Sequence, residues 1–140
     1  MSAEAFLDTN VLIYAFAQGD PRSEAAESLL AEGGVLSVQV LNEFAAVARR
    51  KLKMDWVQIT EASAALRELC KVVPVDEATH EAALQLASRH SFQFYDALVI
   101  AAARQAECTV LYSEDMQHDL IVDKQLRIRN PFLAQQDATT

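Results

Sequence analysis

Turn-forming residues are scarce in this chain: three glycines and three prolines in 140 residues. That scarcity excludes long irregular connections and implies much helix joined by short loops. Cysteine is nearly missing too. Cys70 and Cys108 stand far apart in no ligand-like spacing, and they read as small core residues of a reduced, cytoplasmic protein rather than as a disulfide. The three histidines, His80, His90 and His118, form neither an HExxH pattern nor a Cys/His cluster, which disfavours zinc. No apolar run approaches the ~18 residues needed to span a bilayer, so no membrane association is expected. Residues 1–20 contain Glu4 and Asp8 but no Lys or Arg, the wrong charge for a secretion signal. A net charge of −8 argues against broad electrostatic capture of nucleic acid.

What is present describes a packed globular chain. Apolar residues make up 51% and the mean hydropathy is +0.04. A chain of this length, read as one domain, buries roughly two-thirds of its unfolded surface. No repeat or low-complexity stretch interrupts it. Short apolar runs alternate with longer amphipathic ones, which predicts strands at residues 4–7, 35–37, 72–75, 109–112 and 126–129. Helices are expected at residues 10–17, 21–32, 38–53, 57–70, 77–89 and 95–106. The second should start with Asp20 as N-cap and Pro21 in its first turn, and stop at Gly33–Gly34. Strands alternating with helices predict an α/β fold whose largely parallel sheet is covered on both faces. Residues 1–133 are expected to form the domain and residues 134–140 a frayed, flexible tail.

Four acids border strongly apolar segments: Asp8 in AFLDTNVLIYAF, Glu43 in SVQVLNEFAAV, Asp96 in YDALVIAAA and Asp115 in TVLYSED. A carboxylate buried without a partner costs several kcal/mol, so it takes a proton or finds a cation. Each has an ordinary explanation by itself. Asp8, Thr9 and Asn10 are all good N-caps. Glu43 lies beside the Val40, Phe44 and Val47 stripe and could reach water from its border. Asp96 in a first helical turn complements the macrodipole. Asp115 could belong to a turn, with Ser113 and Asp119 as assistants and Glu114 as a solvated neighbour. Together, four acids at strand ends or on core-facing helix positions suit an oxygen-ligand cage for Mg²⁺ or Mn²⁺. Asp8 and Asp115 both follow strands, where parallel sheets collect ligands. Directly after the Glu43 segment, Arg49, Arg50, Lys51 and Lys53 form a basic cluster. It reads both as a helix C-terminus complementing the dipole and as a phosphate-binding rim beside an acidic pocket.

The motifs DTNVLIYAF, LNEF, YDALVIAAA, LYSEDM and IRNPF, in that order, resemble the PIN-domain ribonucleases, above all the VapC toxins of bacterial toxin–antitoxin pairs. The resemblance covers about residues 5–132. It implies a PIN-like α/β/α sandwich around a five-stranded parallel sheet, and a Mg²⁺- or Mn²⁺-dependent endoribonuclease whose acids map onto Asp8, Glu43, Asp96 and Asp115. It also implies an RNA substrate, hydrolysis leaving 5′-phosphate and 3′-hydroxyl ends, a homodimer, and a VapB-type antitoxin whose tail enters the active-site groove. Asp119 departs from the pattern, since many relatives carrying SEDMQH continue with glycine.

The chemistry such acids support follows from charge. A phosphodiester is an anion that carboxylates alone would repel, and one or two divalent ions reverse the local field. Asp8 and Asp96 are the expected direct ligands, with Glu43 and Asp115 holding a second ion or ordering water. His118 lacks a histidine partner for metal-free acid–base cleavage. Three rival readings remain: a signalling receiver with Asp76 as phosphoacceptor, a catalytically idle PIN-like binding module, and a phosphatase with Asp8 as nucleophile. The last would want a second Asp at position 10, where Asn10 stands.

Overall fold

The computed structural model describes residues 5–134. The expected strand start at residue 4 and the expected tail from residue 135 onward lie outside the described residues. The elements are β1 (Ala5–Leu7), α1 (Thr9–Phe16), α2 (Ser23–Ala31), β2 (Val35–Ser37), α3 (Val38–Lys51), α4 (Trp56–Leu69), β3 (Lys71–Val73), α5 (Glu77–His90), α6 (Phe94–Gln105), β4 (Val110–Tyr112), β5 (Ile121–Val122) and β6 (Leu126–Arg129). The sheet runs β3-β2-β1-β4-β6-β5, parallel except for β5 against β6.

Successive strand residues point to opposite faces, yet Phe6 and Leu7 in β1, and Val35 and Leu36 in β2, are all buried. Both faces of the central sheet are therefore covered, as the apolar runs predicted. Among the covering helices, α6 is buried continuously from Ala97 to Ala103. From β1 the chain steps outward to β2 and β3, then returns to lay β4 and β6 on the other side. The reversal falls between β1 and β4, where Leu7 pairs with Tyr112. In open α/β sheets this is where a ligand crevice opens, beyond the carboxyl ends of the strands.

Several boundaries differ from expectation for local reasons. The sheet has six strands, not five. The extra one, β5, has two residues, too few to show alternation, and its turn into β6 puts Asp123 and Lys124 in left-handed conformations without an Asn-Gly signal. Asp20 does not cap α2. Its carboxylate accepts from the Arg22 backbone N–H at 2.8 Å and from the Arg22 guanidinium, so Pro21 lies in a turn and the helix opens at Ser23. Helix α3 stops at Lys51, because Lys53 takes a left-handed φ of 58°. Capping boxes at Asp55–Gln58 and Asp76–Thr79 set the starts of α4 and α5. Both cysteines are free and buried. No helix among the described residues is long and apolar enough to cross a membrane.

Candidate active site

Asp8 is the first residue after β1 and the N-cap of α1. One carboxylate oxygen accepts from the Thr9 backbone N–H at 2.8 Å, and the other from the Ser113 hydroxyl at 2.8 Å. Ser113 directly follows β4, so the pairing of β1 with β4 brings these residues together across 105 positions of sequence. Asp8 is only 6% exposed. Burial pushes its pKa up to about 6, against the lowering effect of the Ser113 and Thr9 hydrogen bonds, and the charges of Glu43 and Asp115 push the same way as burial.

The other acids gather around it. Glu43, half-buried on α3, accepts from the Thr9 hydroxyl at 3.0 Å and from the Gln39 amide at 3.2 Å. Asp115 is exposed, accepts from the Asn10 side-chain amide at 3.1 Å, and donates its backbone N–H to the Ser113 oxygen at 3.3 Å. Asp96, in the first turn of α6, is half-buried. Its pKa is raised by burial first, then by the charges of Asp115 and Glu43. Thr9, Asn10 and Ser113 therefore hold three of the four acids in fixed orientations. Their hydroxyls and amide are the natural partners, since carboxylates only accept hydrogen bonds.

Asp115 lines two clefts. One, of about 290 Å³, also has Asn10, Tyr14, Glu43 and Lys51 in its wall. The other, of about 420 Å³, has Asp96, Phe92 and Gln117. The acids thus share one strand-end region but flank Asp115 on two sides. Among the described residues, no three His, Cys, Asp or Glu side chains sit close enough together to hold a metal ion. Electrostatically the region still fits a hard cation. Its donors are carboxylate oxygens, they raise one another's pKa, and among the described residues no basic side chain counters that effect at Asp8.

Two neighbours differ from expectation. Glu114 is not solvated: its carboxylate accepts from the Tyr14 hydroxyl at 2.5 Å and from Arg22 at 3.1 Å, and its side chain is 12% exposed. Its backbone N–H donates to the Asn10 carbonyl oxygen at 3.1 Å. The Arg22 guanidinium lies 4.1 Å from the centre of the Tyr14 ring, which itself packs edge-on against Phe132. This brace fixes the loop that carries Asp115. Nothing in the sequence around Arg22 signals it, because its partners lie on α1 and after β4. Asp119 faces Arg129 at 3.2 Å, Arg127 at 3.9 Å and His118 at 3.3 Å. It therefore ties down β6 instead of joining the acids. Nδ1 of His118 accepts from the Asn130 backbone N–H at 2.9 Å. Asp76, the phosphoacceptor of the receiver reading, is bonded to both the backbone and the hydroxyl of Thr79 at the start of α5.

Against known proteins, a family model described as PIN domain matches residues 5–122. No curated protein sequence matches the chain significantly. Among solved structures, VapC20 of Mycobacterium tuberculosis, described as a sarcin–ricin loop cleaving toxin, is 25% identical over 77% of this chain and 87% of its own, with a TM-score of 0.65. A toxin–antitoxin complex from Klebsiella pneumoniae is 18% identical over 91% of this chain and 98% of that one, with a TM-score of 0.70. VapBC2 of Rickettsia felis, bound to a DNA fragment from their promoter, is 16% identical over 90% and 97%, with a TM-score of 0.66. The strand order, the acids at the β1–β4 reversal and a family match over most of the sequence lead to one assignment: this chain belongs to the PIN-domain family.

Proposed function

We propose that the protein is a divalent-metal-dependent endoribonuclease and the toxin of a toxin–antitoxin pair, with Asp8, Glu43, Asp96 and Asp115 as its catalytic and metal-binding acids. The observation that carries this reading is Asp8 itself. It is a buried carboxylate at the topological switch of the sheet, oriented by two hydrogen bonds and pushed upward in pKa by neighbouring acids. A purely structural role would not need the second, third and fourth carboxylates. The family match and the likeness to a ribosomal-RNA loop cleaving toxin favour RNA as substrate. The likeness to toxin–antitoxin complexes favours a VapB-type antitoxin as partner, and a homodimer is the expected assembly.

Mg²⁺ or Mn²⁺ bound by these acids would supply the positive charge that draws in a phosphodiester, activates water and stabilises the transition state. The chain's own contribution is preorganisation. Thr9 fixes Asp8 through its backbone and Glu43 through its hydroxyl, Ser113 fixes Asp8 and the Asp115 backbone, and Asn10 fixes Asp115. Holding ligands this way removes the cost of ordering them when the substrate arrives. The Asp8→Asn protein should fold and fail to cleave RNA; undiminished cleavage by the folded variant would remove Asp8 from the site. EDTA should silence the wild type and excess Mn²⁺ should restore it, whereas activity persisting in chelator would end the metal proposal.

A further inference from the structure

The acid-lined cleft is continuous, through one lysine, with a larger one. Lys51 lines the 290 Å³ cleft beside Glu43 and Asp115, and it also lines a cleft of about 720 Å³ formed with Phe16, Lys53, Met54 and Gln58. Four of the chain's twelve basic residues fall within this five-residue stretch, Arg49, Arg50, Lys51 and Lys53. Next to it stands Trp56, the chain's only tryptophan, 61% exposed, with the Arg49 guanidinium 5.3 Å from its ring centre. Arg49 is held in place by a 3.1 Å hydrogen bond to the Met54 carbonyl.

These features match what a groove for single-stranded nucleic acid requires: cations along the backbone path and an aromatic surface for a base. Helix-dipole complementarity explains cations in the last turn of α3, but it does not explain Lys53. Lys53 lies past the helix end in the left-handed region, where an L side chain is strained and glycine is not. Its side chain nevertheless lines the cleft. In a protein of net charge −8, a polyanion can be held only where cations are locally concentrated, and here that place adjoins the acids.

We propose that the 720 Å³ cleft is the path of the RNA strand flanking the scissile phosphate, with Lys51 and Lys53 holding its phosphates and Trp56 contacting a base. This assignment rests on the nuclease reading and adds to it a route for the substrate. A protein segment is the competing occupant of the same cleft. The lysine bridge to the acid cluster and the exposed tryptophan favour the nucleic acid.

Trp56 provides a direct readout, because its emission is the chain's only tryptophan signal. The Asp8→Asn protein, titrated with a ten-nucleotide single-stranded RNA in Mg²⁺, should show saturable quenching. Adding Lys51→Gln and Lys53→Gln should weaken Kd about tenfold or more. It should also lower the slope of log affinity against log salt by about two, one for each lost phosphate contact. In the otherwise wild-type enzyme the same pair should raise KM about tenfold while kcat moves far less. Lys71→Gln, at the start of edge strand β3, serves as the control and should leave binding unchanged. Lys53→Gly separates contact from fold: it should keep or raise the Tm while weakening RNA binding.

The inference is overturned if the wild type cleaves RNA but the double lysine variant keeps its Kd, KM and salt slope. It is also overturned if that variant keeps its RNA parameters and loses inhibition by a cognate antitoxin, which would give the cleft to the protein partner. Lysine-dependent quenching by RNA in a wild type that cleaves nothing with Mg²⁺ or Mn²⁺ would uphold the inference and sink the nuclease reading.

Discussion

Two carboxylate-centred regions of this molecule titrate in opposite directions. At the carboxyl ends of β1 and β4, Asp8 is surrounded by other acids and its pKa rises to about 6. At the turn between β5 and β6, Asp123 meets Arg89 at 2.6 Å, His90 at 3.1 Å and Arg104. Burial there also pushes upward, but the His90 hydrogen bond and the two arginine charges outweigh it, and the pKa falls. The same functional group is a brace in one place and a cost in the other. Asp123 ties α5 and α6 to the β-hairpin with its charge already matched. Asp8 leaves its charge unmatched within the fold, which is the state expected of a group awaiting a cation.

The largest effect that should sharpen this contrast is on activity. Asp8→Asn should lower RNA cleavage by about 10²–10³-fold, the scale of losing one electrostatic group aimed at a reacting centre. Cleavage assays on protein of native circular dichroism would check it.

The next effect is on stability and runs the other way. The folded protein holds the Asp8 proton more tightly than the unfolded chain does, so this group favours folding below pH 3.8. That advantage disappears as the pH rises through about 6. In chelator at pH 7, Asp8→Asn should therefore be more stable than wild type, by at most about 3 kcal/mol. The gap should close as the pH falls towards 4, and melting curves across that range would read it. Equal pH profiles for the two proteins would mean that Asp8 is not the strained group.

Asp123 should behave in the opposite sense. Its lowered pKa gives stability that is present above the unfolded carboxylate value and lost as the pH falls through the folded one. Asp123→Asn should cost about 1–3 kcal/mol at neutral pH, because buried or half-buried arginine atoms lose a charged acceptor, and it should leave kcat unchanged. A large drop in kcat would erase the contrast between brace and site.

The smallest effect belongs to the brace behind Asp115. Tyr14→Phe removes the hydroxyl that bonds Glu114 but keeps the ring against Phe132 and Arg22. Its expected cost is about 1 kcal/mol. A fall of a few-fold in kcat with KM unchanged would show that the loop's position matters to the chemistry.

Much of this was legible in the chain itself. The alternation of short apolar runs and amphipathic stretches is a local property, and it anticipated the parallel sheet and every helix to within a few residues. Asp8 and Asp115 could be paired in advance because both end strands, and parallel strand ends converge. Glu114 could not be read that way. Its environment depends on Tyr14 and Arg22, about a hundred positions away, and no local pattern encodes such a distance. For the same reason Asp119 looked like a possible assistant to the acids until β6 brought Arg127 and Arg129 to it.

By its composition and periodicity alone, the sequence determined an α/β chain with acids at its strand ends and a basic patch after its third helix. Hydrophobic period and residue chemistry are carried by neighbours along the backbone. Only the tertiary structure decided which carboxylates are matched and which are left to repel one another, and that Lys51 joins the basic patch to the acids. Charge acts through space and burial, and both are set by which elements pack together.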